Sequence, residues 1–366
     1  MTVLLSEALS SDALSQEREA VARPAIAEIA RTSKGPVSSQ LLRRLARSRR
    51  SADICAVRTE GAALPRESGR ETWLRQRFAL RAEESVAASV ALGKGNSPGA
   101  LVVRLVHLHA GLDHLTLSPF ETLQVSESES RALFEDTARW LATEPVTLRW
   151  LEPDTWELLE HDPERSRFLT LSGASMARAA GRNIDIWLPA GPSAREWRRL
   201  MNEVQMLWHD HPVNQDRASR GLPAVNALWL EGTAASHPKR SFDWIISDDQ
   251  AVAGLARATG AHHMSIADAT QSQTRVPEGI GLIDLSLGTP PVAHTEWSEV
   301  NVWSHTESRL QSILALNGLS WNSVREMVLT GEFLARTFTW SRWADWRLWR
   351  RHPSPDDLRE GWPGDP

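Results

Sequence analysis

The chain has 366 residues, a formal charge of −5, 41% hydrophobic and 24% charged residues, and one cysteine, Cys55. These values exclude a disordered acidic chain, a collagen-like repeat and a coiled coil, and a lone cysteine excludes internal disulfides and multi-cysteine zinc or iron–sulfur sites. No run reaches the ~18 apolar residues of a membrane span. Glu7 and Asp12 interrupt the opening MTVLLSEALSSDALSQERE as they would not in a signal peptide, so the expected compartment is the cytoplasm.

Residues 1–66 read as a helical, basic N-terminal segment. Apolar residues recur at helical spacing through EREAVARPAIAEIARTS until Gly35-Pro36 breaks the pattern. LLRRLARSRR follows, with Arg43, Arg44, Arg47, Arg49 and Arg50. It is a solvated helix face or an anion-binding cluster, and a net charge of −5 argues against a nucleic-acid partner.

Residues 67–265 read as an α/β core. ETWLRQRFAL opens it, and LVVRLVHLHAGLDHLTLSP is β-branched and broken by Gly111, which predicts two short strands. SESESRALFEDTARWLAT is a helix with a capping box of Ser126 and Glu129. A strand is expected at 146–151, a turn at Pro153-Asp154 and another strand in NIDIWLP. Ser193 and Glu196 form a second S-x-x-E box ahead of the helix REWRRLMNEVQMLW, which Pro212 ends. A polar loop, HPVNQDRASRGLPAVN, then leads into the strand ALWL at 227–230. DWII is a further strand, DDQAVAGLARATG a helix stopping at Gly260, and HHMSIAD a strand. Such alternation favours a layered α/β sheet flanked by helices.

Residues 266–366 read as a Trp-rich C-terminal extension with a short strand GLIDLSL. SHTESRLQSILALNG and SVREMVLTGEFLARTF both look helical. Trp340, Trp343, Trp346 and Trp349 then form a stripe interleaved with arginines. It is a core or homo-oligomer interface stripe, or a docking surface for a protein partner.

The densest polar cluster is 209–226. Arg217 and Arg220, three apart, suit a carboxylate or phosphate, with His211, Asn214 and Asn226 beside them. They form either a ligand-binding loop or a rigid connector whose arginines pair with Asp210 or Asp216. The pairs His209/His211 and His107/His109, the latter with His114, also invite a metal reading, since residues two apart on a strand share a face. No nucleophile elbow, phosphate loop or dinucleotide turn is present.

HDHPVNQDRASRGLPAVNALWLEG at 209–232 resembles a segment of archaeal-type, cofactor-independent phosphoglycerate mutases. It is more closely similar to a bacterial regulatory-protein family of pathogenicity factors, type E. Asn214, Arg217, Gly221, Pro223 and Asn226 keep that family's spacing. ETWLRQRF, the stretch 112–119, RWLATEPVTLRW and SDDQAVAGLARATG extend the likeness over 70–262. The resemblance implies an alkaline-phosphatase-like sheet and, in the mutases, two metals held by an Asp-Gly pair, a serine nucleophile and later Asp/His clusters. Here the first 70 residues hold no Asp-Gly, and Asp248-Asp249 and His262-His263 are the nearest substitutes for the later clusters. Where the closer family has a glycine run after the strand, this chain has Glu231-Gly232-Thr233-Ala234, whose carboxylate would repel a phosphate.

The expectation is therefore a non-catalytic regulatory or ligand-binding protein without a cofactor, taking an anionic small molecule or a partner through Arg217 and Arg220. The first alternative is a phosphoryl-transfer enzyme using Mn or Zn, with ligands drawn from His107, His109, His209, His211, Asp248 and Asp249. The second is an interaction module using the Trp stripe.

Overall fold

A computed structural model describes residues 1–6, 45, 49–55, 66–92, 94, 100–111, 114–118, 122–162, 168–171, 173–271, 275–285, 299–330 and 334–340. Its strands are β1 (Thr2–Ser6), β2 (Arg49–Cys55), β3 (Leu101–Val106), β4 (Leu108–Ala110), β5 (Leu115–Leu117), β6 (Val146–Glu152), β7 (Thr155–Glu160), β8 (Ala227–Thr233), β9 (Trp244–Ile246), β10 (His262–Met264), β11 (Gly281–Asp284), β12 (Glu326–Thr330) and β13 (Leu334–Thr339). The helices are α1 (Gly69–Arg77), α2 (Glu127–Leu141), α3 (Met176–Ala179), α4 (Ala194–His209), α5 (Pro212–Ser219), α6 (Gln250–Thr259), α7 (Ile266–Ala269) and α8 (Glu299–Leu316).

The architecture is mixed α/β, with two main sheets flanked by helices. The larger sheet has the order β10-β9-β11-β1-β12-β13-β2. Pairing is parallel from β10 to β12 and antiparallel from β12 to β2. It takes strands from all three sequence segments. One face packs Val3, Ile246, Ile283, Met327 and Leu329 against Leu310, Ile313 and Leu314 of α8. The other packs Leu4, Ile245, Leu282 and Val328 against Trp73 and Leu74 of α1 and Val252 and Leu255 of α6. Consecutive residues thus enter opposite cores, as the pleat requires. The second sheet, β6-β7-β3-β8, is antiparallel throughout.

Helix α4 covers the second sheet. Trp197, Leu200, Met201, Val204 and Trp208 recur at helical spacing and are buried, each such side chain contributing roughly 1.5–3 kcal/mol of burial. Trp208 meets Trp156 of β7 edge-on, centroids 5.8 Å apart, and its indole N–H donates to Thr137 Oγ1 at 3.0 Å. The Ser126/Glu129 capping box forms as expected. The Ser193/Glu196 box does not, because Ser193 is the N-cap but makes no side-chain capping bond.

Several expected elements differ. The helical reading of 1–66 fails at Thr2–Ser6 and Arg49–Cys55, since β1 and β2 pair with β12 and β13, while Leu45 is helical. SVREMVLTGEFLARTF supplies the antiparallel strands β12 and β13 rather than a helix. Met327, Val328 and Leu329 are all buried because both faces of the sheet are covered, which leaves no strand period to read. NIDIWLP contains a 3-10 turn at Ile184–Ile186, where the Asn183 side chain caps the Asp185 N–H and competes with strand pairing. LVVRLVHLHAGLDHLTLSP gives three strands, β3 to β5, instead of two. The polar loop after α4 contains α5, because Pro212 lacks an N–H that a first helical turn does not need. The Trp stripe beyond buried Trp340, and most of the basic run, lie outside the described residues.

Candidate functional site

The residues flagged at 209–226 form a corner between α4 and α5 that grips its surroundings. His211 is the N-cap of α5: its Nδ1 accepts from Val213 N at 3.1 Å and its Nε2 faces Asp136 Oδ2 at 3.2 Å. Both ring nitrogens are thereby engaged, which does not suit the metal role considered for it. His209 is exposed at the end of α4. Asn214 donates to Trp208 O and Val225 O, each at 2.8 Å, and accepts from Val225 N at 2.8 Å. Asn226 accepts from Leu108 N at 2.7 Å and donates to Leu108 O at 2.9 Å, clamping β4.

Arg217 is fully buried. Its Nε donates to Pro223 O at 2.8 Å, Nη1 to Glu129 Oε2 at 3.1 Å, and Nη2 to Leu123 O. Arg220 is half-exposed and reaches the other Glu129 oxygen at 2.6 Å and Asp216 at 2.8 Å. Burial works to raise the Glu129 carboxyl. The hydrogen bonds from Ser126 and Arg220, with the charge of Arg217, outweigh it and lower the pKa to about 2. The arginines therefore share Glu129, Arg220 also makes the expected pair with Asp216, and Arg217 has no donor directed to solvent.

A second cluster lies at the carboxyl ends of β9 and β11, where ligands of open α/β sheets usually bind. Arg70 of α1 places Nη2 at 2.6 Å from both Asp249 Oδ2 and Asp284 Oδ2. Ser247 Oγ donates to Asp284 Oδ2 at 2.9 Å and accepts from Asp249 N at 3.0 Å. Burial alone would lower Arg70, but the two carboxylates reverse this and hold it above its ordinary range. Asp249 Oδ1 caps α6 through Ala251 N at 2.8 Å, Asp248 Oδ1 accepts from Ile266 N at 2.8 Å, and His263 Nε2 lies 2.9 Å from Ser247 O. These residues do not fit a two-metal centre, since a guanidinium already bridges the pair of carboxylates. Among the described residues no group of three or more His, Cys, Asp or Glu is arranged to hold a metal ion.

Sequence reasoning missed Arg70, Ser247 and Asp284. The acid inside the apolar strand GLID was a signal in plain view, because a buried carboxylate demands a partner. Glu231 also differs from expectation. It lies within β8, not in a turn, and its buried carboxyl accepts from Met176 N at 3.1 Å. Burial, opposed by Arg104 and that hydrogen bond, pushes its pKa up to about 7.

No helix among the described residues is long and apolar enough to cross a membrane. No protein-family model matches the chain, and neither does any curated protein. Among solved structures the chain is similar to a cofactor-independent phosphoglycerate mutase from Thermoplasma acidophilum, at 11% identity and a TM-score of 0.39 over 93% of this chain and 89% of that one. It is also similar to the PH0037 protein from Pyrococcus horikoshii, at 12% identity and a TM-score of 0.46 over 92% of this chain and 86% of that one.

Proposed function

We propose that this chain is a non-catalytic binding or regulatory protein on a phosphoglycerate-mutase-like scaffold, a divergent relative of the type E regulatory family. The observation that carries the reading is the Arg70 bridge. A cation at 2.6 Å from both Asp249 and Asp284 neutralises the carboxylates at the strand ends, where metal-assisted phosphoryl transfer would need them open. Neither of the polar clusters described above presents an activated nucleophile beside an open cation site. Binding in this reading falls to exposed cations. Arg220 and the outer face of α4, with Arg195 and Arg198 exposed beside Met206, offer guanidiniums to an anionic small molecule or an acidic partner surface.

The test is an assay of 2- and 3-phosphoglycerate interconversion by the full chain with added Mn²⁺, run beside the Asp249→Asn and Asp284→Asn variants. The reading expects no turnover above a heat-denatured control. Turnover that either variant abolishes would overturn it and restore the phosphoryl-transfer enzyme.

A further inference from the structure

The two histidines at the start of the β4–β5 hairpin adjoin the 209–226 corner through Ala224 and Asn226 but take no part in the ion pairs of either cluster described above. His107 stands at the junction of β3 and β4, and His109 lies in the middle of β4. A spacing of two puts both side chains on one face of the extended chain, and their ring centroids are 6.3 Å apart. Two imidazoles that share one tetrahedral ion, each at about 2.0–2.1 Å from it, have centroids about 5 Å apart. The observed spacing is about 1 Å longer, so the exposed His109 ring has to turn towards His107 to complete a chelate.

The nearer ring is already set up as a ligand. His107 Nδ1 lies 2.8 Å from Ala224 O. A carbonyl only accepts, so Nδ1 carries the hydrogen and Nε2 keeps its lone pair. Metal-binding histidines are oriented by this kind of outward hydrogen bond to a backbone carbonyl. The backbone around it is held as well. Asn226 clamps Leu108 through two side-chain bonds and its own N–H donates to Val106 O at 3.1 Å, while Ser118 N donates to His107 O at 3.0 Å. The His109 ring is exposed and carries no hydrogen bond among the described residues. The hairpin register pairs His109 with Thr116, which places exposed His114 diagonally on the same face.

We infer that this hairpin face is a surface site for one borderline transition-metal ion, Zn²⁺, Ni²⁺ or Cu²⁺, chelated by Nε2 of His107 and of His109 with water completing the shell. Imidazole pairs without carboxylates favour these ions over Mg²⁺, Ca²⁺ and Mn²⁺. The assignment does not depend on the function proposed above, and its ion preference separates it from any site built on Asp249 and Asp284.

Calorimetric titration of the full chain with ZnCl2, NiCl2 and MnCl2 tests it, beside His107→Ala and His109→Ala, with thermal melts of each variant. The expected result is one equivalent of Zn²⁺ or Ni²⁺, no Mn²⁺, and affinity at least about 10-fold weaker in His109→Ala, whose exposed ring is not needed for folding. A Zn²⁺ titration followed by NMR should move the imidazole Hε1 signals of both rings together, which decides the matter if His107→Ala fails to fold. No Zn²⁺ or Ni²⁺ uptake, or uptake unchanged in His109→Ala, overturns it.

Discussion

Two buried guanidiniums, Arg70 and Arg217, organise regions made of different materials. Arg217 is surrounded mainly by neutral main-chain acceptors, the carbonyls of Leu123 and Pro223, and shares one carboxylate with Arg220. Arg70 faces two carboxylates at the carboxyl ends of β9 and β11. The first arginine fastens three chain segments whose geometry only a planar, multi-donor fork can satisfy. The second acts as a counter-ion, cancelling negative charge that α6 capping and the strand ends bring together. One residue type is thus a structural staple in one place and a substitute cation in the other.

That distinction predicts different consequences when each is removed. Arg217→Ala leaves Glu129 with half-exposed Arg220 as its one cationic partner beside the Ser126 bonds, and strands the carbonyls of Leu123 and Pro223, so it should cost on the order of 3–5 kcal/mol. Arg217→Lys should recover little, because an ammonium cannot span all three directions. Urea unfolding with an unchanged m-value checks this. A loss below about 1 kcal/mol would mean that the corner does not depend on its staple.

Arg70→Ala should cost less, on the order of 2–4 kcal/mol, because Asp249 keeps some contact with solvent and Ser247 still donates to the buried Asp284. Its diagnostic effect is different in kind. With the guanidinium gone, Asp249 and Asp284 become a cation-binding pair, and added Mn²⁺ should raise the melting temperature of Arg70→Ala but not of the parent chain or of Arg217→Ala. Equal responses in all three would erase the distinction between staple and counter-ion.

These roles show what the sequence carried and what it did not. Local signals were legible: the Ser126/Glu129 box, the left-handed Gly260 at φ 67° that ends α6, and the fully buried strand at 227–230. The spacing of Asn214, Arg217 and Asn226 marked them as special. It pointed to a ligand, whereas their bonds run to the chain's own backbone and, for Arg217, also to the Glu129 carboxylate. Arg217 meets Glu129 and Leu123 across 88 and 94 positions, and Arg70 meets Asp284 across 214. No local pattern encodes such pairings. The strands β12 and β13 were illegible for a related reason: burial on both faces erases alternation, and partner strands decide the outcome.

The smallest expected effect concerns Arg220, which shares Glu129 with Arg217 but stays half-exposed. Arg220→Ala should leave the melting temperature at neutral pH nearly unchanged, as for most surface pairs. Its mark should appear in acid. Glu129 is depressed to about 2 in the folded chain, below its unfolded value, so its contribution to stability is full above the unfolded pKa. That contribution is lost as pH falls through the folded one. The Arg220 hydrogen bond is part of what depresses it, so removing that donor should raise the folded pKa and narrow the window over which Glu129 stabilises the fold. Carboxyl-carbon NMR of Glu129 between pH 1.5 and 6 measures the displacement directly. A midpoint that stays at its parent value would assign the whole depression to Ser126 and Arg217, and would make the corner a site fastened by one arginine alone.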